Sequence, residues 1–261
     1  MEADFGVIVL IQFIITIPVR NAGPWIQKCL DSVATQQYEG EWTCAVIDDA
    51  STDDTWEKIE YYIEHLSPEI SRKFLKRRND SRLGIMKNFI EGYKMQSCES
   101  FPEAVLINLD GDDWLYSPAV FHILDYVYKS TGCLVTWGSY IEWPFGEVGK
   151  FSSQIDPSLH LSGEYRKAQW STSHLRTYKS HLWSKIRDED FKDNNGNYFM
   201  ASCDLAIMFP LVEMARERSC FIPNILLCYN RMNPAAEHLS SRNEQLSNEN
   251  LIRSKKPYNK I

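Results

Sequence analysis

"VLINLDGDDWLY", residues 105–116, joins an apolar run to three carboxylates within four positions. Val105, Leu106, Ile107 and Leu109 read as a buried strand, and Asp110, Asp112 and Asp113 end it. Two readings compete. Asp-Gly between apolar runs is a strong hairpin signal, which would make the acids turn residues. Two carboxylates one residue apart at a strand end can instead share a hard cation through oxygen ligands and leave room for diphosphate oxygens. An EF-hand loop is excluded, because Trp114 stands at its third acidic position and its required glycine is missing.

The chain has 261 residues, enough for one substantial core, and 44% hydrophobic with 24% charged residues is an ordinary globular balance. A formal charge of -7, with "KFLKRR" at 73–78 as the one dense basic run, argues against a nucleic-acid partner. A small anion held through a divalent cation remains open. Seven cysteines form no CxxC pair, so buried thiols in a reducing compartment are expected rather than a zinc site. "FGVIVLIQFIITI", residues 5–17, is apolar but is interrupted by Gln12 and short for a membrane span. It lacks a basic lead and a small-residue cleavage site, and its β-branched content favours a central strand. The expectation is a soluble, cytoplasmic protein with no transmembrane segment, at most peripheral to a membrane.

Around the opening stretch, strand and helix alternate. The strand ending at Pro18 is followed by a helix over 24–37, a strand over 43–51, a helix over 53–66, a short strand at "KFLKRR" and a helix over 84–96. That order predicts a mostly parallel sheet covered by helices, with ligands outside the carboxyl ends of its strands. "PVRN" at 18–21, "DDAS" at 48–51 and "DGDD" at 110–113 all begin where strands end, so they converge on one edge. Helix capping accounts for Asp53 or Asp54, but not for Asp48 and Asp49, adjacent like charges that call for a cation or donors nearby. The second half is rich in aromatics. It suggests strands over 133–142 and 219–229 and a helix over 204–217 kinked at Pro210, and beyond about Pro234 a polar, frayed tail. In "STSHLRTYK", 171–179, His174, Arg176 and Lys179 cluster as contacts for diphosphate or acceptor, or as a solvated turn.

Together "IITIPVRNAGPWIQKCLDSVATQQY", "AVIDDASTDDTWEKI", "LGIMKNFIEGY" and "LINLDGDDWLY" resemble glycosyltransferase family 2, a nucleotide-sugar family of GT-A fold, from about Ile14 to about Arg231. The resemblance implies an α/β GT-A domain over 1–235, with a nucleotide-sugar half (1–129), an acceptor half (130–235) and a tail (236–261). It places Pro18 and Arg20 at the nucleobase, Asp48 and Asp49 at base and ribose, and Asp110, Gly111 and Asp112 in a DxD motif. Asp110 would face the ribose side and Asp112 would ligate Mn2+ or Mg2+, joined by Asp110 and His238; Arg176 would meet the diphosphate, and Asp113 would be a tolerant turn residue. Asp204 falls where inverting members carry the catalytic base, although Cys203 replaces the family's usual preceding Glu. The implied reaction moves a sugar from a nucleotide-sugar donor, a UDP-sugar foremost, to a hydroxyl of a carbohydrate or glycoconjugate acceptor. Rival readings are a DxD phosphatase, which wants Thr or Val where Trp114 stands, and a non-catalytic sugar-nucleotide-binding module.

Overall fold

The computed structural model describes residues 9–234 and 242–261. Strand β1 (Phe13–Val19) is buried along its whole length, because it sits between two parallel neighbours, β2 (Trp42–Asp48) and β4 (Val105–Asn108). β3 (Phe74–Arg78) extends the parallel set beyond β2. The rest of the sheet comprises β5 (Trp114–Leu115), β6 (Val135–Trp143), β7 (Glu147–Val148), β8 (Arg176–Lys179) and β9 (Ser219–Asn230). Their order is β3-β2-β1-β4-β8-β6-β9-β5, with β7 paired to β6. β8 runs antiparallel between β4 and β6, while β9 lies parallel to β6.

The hairpin reading of "DGDD" fails on this order. β5 follows β4 in sequence but pairs with β9, so the acidic turn carries the chain across the carboxyl edge of the sheet.

Alternation along β1 divides the core into two layers. Phe13, Ile15, Ile17 and Val19 face one layer, with α1 (Ile26–Ala34), α2 (Thr55–Glu64) and α5 (Val120–Thr131). Ile14 faces the other, with α4 (Ile85–Met95) and α8 (Cys203–Ala215). Short helices α3 (Pro68–Ser71), α6 (Pro157–Ser162) and α7 (Ser180–Trp183) fill connections. α8 is buried on nearly every face and continues through Pro210. α4 lies tight on the sheet: a Cβ at Gly92 would stand 2.3 Å from Thr16 Cγ2.

The C-terminal residues depart from the expected frayed tail. Residues Arg242–Ser254 form α9, and Ile252 is 1% exposed. The polar pattern hides this because the anchor is itself polar. Arg166 donates to both carboxylate oxygens of Glu213 on α8, at 2.6 and 2.9 Å, and to Ile252 O at 2.7 Å. Arg253 returns the contact to Arg166 O at 2.7 Å, and Tyr258 N donates to Glu213 at 3.0 Å. None of the described helices is long and apolar enough to cross a membrane.

The Arg166–Glu213 pair is almost wholly buried, so losing one partner strands a charge. Glu213→Ala should cost about 3–5 kcal/mol in urea unfolding. A loss below about 1 kcal/mol would mean that α9 is not held through this pair.

Candidate active site

The carboxyl ends of β1, β2 and β4 open onto a cavity of about 690 Å³. Main-chain bonds continue past the strands and stitch the loops together: Asp49 N donates to Val19 O at 2.8 Å, and Gly111 N donates to Pro18 O at 3.1 Å. A Cβ at Gly111 would lie 2.4 Å from Val19 Cβ, so only glycine lets the acidic turn approach β1 this closely. Pro18, Arg20, Asp49, Asp110, Gly111, Asp112, Arg176 and Asp204 all line the cavity.

Asp48 does not line it. Its carboxylate is fully buried, accepts from Ser51 and lies 3.3 Å from Arg78, and burial raises its pKa. Asp49 faces the opposite way and accepts from Leu83 N at 2.7 Å, Gly84 N at 2.9 Å and Asn79 Nδ2 at 2.9 Å. Burial alone would raise its pKa, but these donors outweigh it and hold the carboxyl below its ordinary value. Asp49 therefore organises the 79–84 loop, and Arg20 braces the turn by donating to Asp49 O and Ala50 O, each at 2.6 Å.

The acidic turn gathers more charge than the sequence assigned. Asp113 is 1% exposed, not an open turn residue: Oδ1 accepts from Asn230 N at 2.8 Å, and Oδ2 is buried with no hydrogen-bond donor among the described residues. Asp110 Oδ1 is likewise buried without a donor. Burial, opposed by Arg176 and reinforced by Asp112 and Asp204, pushes the Asp110 pKa up to about 6. Asp112 Oδ2 accepts from Asn233 Nδ2 at 2.8 Å. Among the described residues, Asp110, Asp113 and His174 bring one potential ligand atom each within 4.8 Å of one another. This grouping differs from the expected Asp110, Asp112 and His238, and His238 lies outside the described residues. His174 is buried, and burial together with Arg176 keeps its ring neutral, the form that binds a cation.

Arg176, the first residue of β8, links the two walls. Its guanidinium lies 3.5 Å from Asp110 and 3.9 Å from Asp204, and its own side chain is 5% exposed. Asp204 stands in the first turn of α8 with its side chain 29% exposed to the cavity, and burial raises its pKa above the ordinary 3.8.

The family model for Glycosyl transferase family 2 matches residues 14–189. The chain belongs to glycosyl transferase family 2. No curated protein matches this chain in sequence. The structure of S. aureus TarS 1-349 in complex with UDP-GlcNAc is 16% identical with a TM-score of 0.64, covering 93% of this chain and 65% of that one. The mannosyltransferase PcManGT from Pyrobaculum calidifontis, in complex with GDP-Man and Mn2+, is 14% identical with a TM-score of 0.58, covering 94% of this chain. This chain spans 65% of the length of either. The likeness establishes the GT-A fold, and the family sets aside the phosphatase reading.

Several lining residues of the cavity had no usable sequence signal. Tyr229, Arg231 and Asn233 follow from where β9 ends, and Gln245 and Glu249 come from α9. His174 stood in a polar cluster with no neighbour in sequence to mark it as buried.

Asp49 has a folded-state pKa below 3.8, so its stabilising contribution is complete at pH well above that value and is lost as pH falls through the folded one. Asp49→Asn should therefore lower Tm at pH 7 but lose less than the wild type between about pH 5 and pH 3. Parallel Tm–pH curves would show that Asp49 does not hold the loop as an anion.

Proposed function

We propose that this chain transfers a sugar from a nucleoside-diphosphate sugar to an acceptor hydroxyl of a carbohydrate or glycoconjugate, with inversion and with help from Mn2+ or Mg2+. The observation that carries this reading is the placement of Arg176 between Asp110 on the strand-end turn and Asp204 on α8. One wall offers carboxylates for a donor, the other the Asp204 carboxylate for a proton, and a fixed positive charge lies between them.

The residues present fit a hard divalent cation. The buried oxygens Asp110 Oδ1 and Asp113 Oδ2 have no hydrogen-bond donor among the described residues, and the neutral His174 ring lies beside them. Asp110, Asp113 and His174, with Asp112 at the cavity surface, would hold the ion. When bound, it would neutralise the charge that builds on the departing nucleoside diphosphate. Pro18, Arg20 and the loop pinned by Asp49 would seat the nucleobase and ribose. TarS with UDP-GlcNAc and PcManGT with GDP-Man indicate that both donor bases occur on this fold, and we extend the nucleotide-sugar donor, a UDP-sugar first, to this chain.

Asp204 takes the proton from the acceptor hydroxyl as that oxygen attacks the anomeric carbon, so the C–O bond forms while the bond to the diphosphate breaks. Base and departing group on opposite sides suit a single displacement, hence inversion. Arg176 keeps its charge throughout and offsets the acids on both walls. Below its raised pKa Asp204 is protonated and idle, so transfer should rise with pH through that value. The free cysteines among the described residues suit a reducing compartment, for which we propose the cytoplasm.

Asp204→Asn should lower kcat by about 10²- to 10⁴-fold while donor affinity, measured by calorimetry with UDP-sugars and GDP-sugars plus Mn2+, stays within about twofold. Full turnover in that variant would place the base elsewhere. Removing divalent ions with EDTA should abolish turnover, and Mn2+ or Mg2+ should restore it. Undiminished activity in EDTA would rule out the cation.

A further inference from the structure

Helix α9 reaches the cavity from beyond residue 189, where the family match ends. Gln245, Asn248, Glu249 and Ile252 share one helical face, and Ile252 is its apolar anchor. Asn248 Nδ2 donates to Ala201 O at 3.1 Å, and Gln245 O accepts from Ser202 Oγ at 3.1 Å. These bonds clamp the turn ahead of Asp204, where Ser202 holds a left-handed φ of +62° without being glycine. The same face presents Gln245 and Glu249 to the cavity that Asp204 lines. Glu249 is partly exposed, paired with Arg253 Nε at 2.8 Å, and its charge helps to raise the pKa of Asp204.

We propose that α9 is the acceptor wall of the cleft: Glu249 and Gln245 hydrogen-bond hydroxyl groups of an uncharged sugar acceptor and steer one hydroxyl to Asp204. The inference rests on Asp204 being the base. The group that a base deprotonates belongs to the acceptor, so side chains beside the base, carried by a helix that packs on α8 rather than forming the strand-end loops, meet the acceptor and not the donor. A carboxylate accepts from two hydroxyls in charge-assisted bonds, and an amide both donates and accepts, which suits a polyol. Asp204 and Glu249 also make this wall acidic, so a uronate or phosphate-bearing acceptor would meet like charge there.

The test uses the full chain, a UDP-sugar or GDP-sugar that it turns over, and p-nitrophenyl glycosides of neutral hexoses and of uronic acids. In Glu249→Ala the KM for the neutral glycoside should rise about tenfold with donor KM unchanged. Glu249→Gln, which keeps the hydrogen bonds, should restore most of that KM and admit the uronide. Asn250→Ala, on the exposed face, should match the wild type. An unchanged acceptor KM in Glu249→Ala, or donor and acceptor KM rising together, would overturn the acceptor wall while leaving the transferase reading intact. Absence of both hydrolysis and transfer for every donor in the wild type would overturn that reading, and the acceptor wall with it.

Discussion

Arg176 keeps a permanent positive charge in a cavity wall otherwise made of carboxylates. Its guanidinium is nearly buried, yet the Asp110 and Asp204 oxygens stand 3.5 and 3.9 Å away, longer than a tight bidentate pair. The ion is thus only partly compensated within the protein, and its Nε has no hydrogen-bond acceptor among the described residues. Burying charge in this way is costly unless other charges share the field. Conversely, Asp112 and Asp204 raise the pKa of Asp110, Asp110 and Asp112 raise that of Asp113, and Arg176 opposes the rise at Asp110, Asp113 and Asp204. Site and sheet are coupled here. Arg176 opens β8 opposite Asn108, the last residue of β4. Only an antiparallel strand begins at the edge where its parallel neighbours end, so the reversed β8 is what brings a cation to the ligand-binding edge.

The parallel half of the sheet was legible in the sequence because its signals are local. Apolar runs of strand length alternate with helical periodicity, and polar loops sit at each strand end, which is enough to predict where the loops converge. Pairing partners are not local. "DGDD" suits a hairpin as well as a crossing turn, and what decides is β5 pairing with β9, a strand more than a hundred residues later. β8 gave no pattern of its own, since "RTYK" is four residues whose burial comes from β4 and β6 on either side.

Adjacent acids expose a second limit. At a strand end, neighbouring side chains point to opposite faces, so of Asp48 and Asp49 one turns toward the cavity and the other beneath the loop. The residue types are identical, and only the bonding partners tell them apart: Leu83 N and Gly84 N for Asp49, Ser51 and Arg78 for Asp48. The same ambiguity touched Asp112 and Asp113. The second of these is the more buried, because the turn folds it toward β9, where Asn230 N meets it. A motif fixes which residue types are present, whereas backbone parity assigns them to tasks.

The attachment of α9 follows from this division of labour. The strand-end loops are fixed by sheet register and by bonds such as Gly111 N to Pro18 O, so changes there disturb β1 and the whole edge. α9 is fixed instead through Arg166, Glu213 and side-chain bonds of Ser202 and Asn248 to main-chain oxygens, made at the turn before Asp204. Its anchoring residues and its cavity-lining residues are different positions on one helix, Ile252 and Arg253 against Gln245 and Glu249. Among the described residues, neither Gln245 nor Glu249 forms an ion pair with Arg176, whose partners are Asp110 and Asp204, so they can vary without altering its contacts. A cleft built this way can keep one donor chemistry while its acceptor wall diverges.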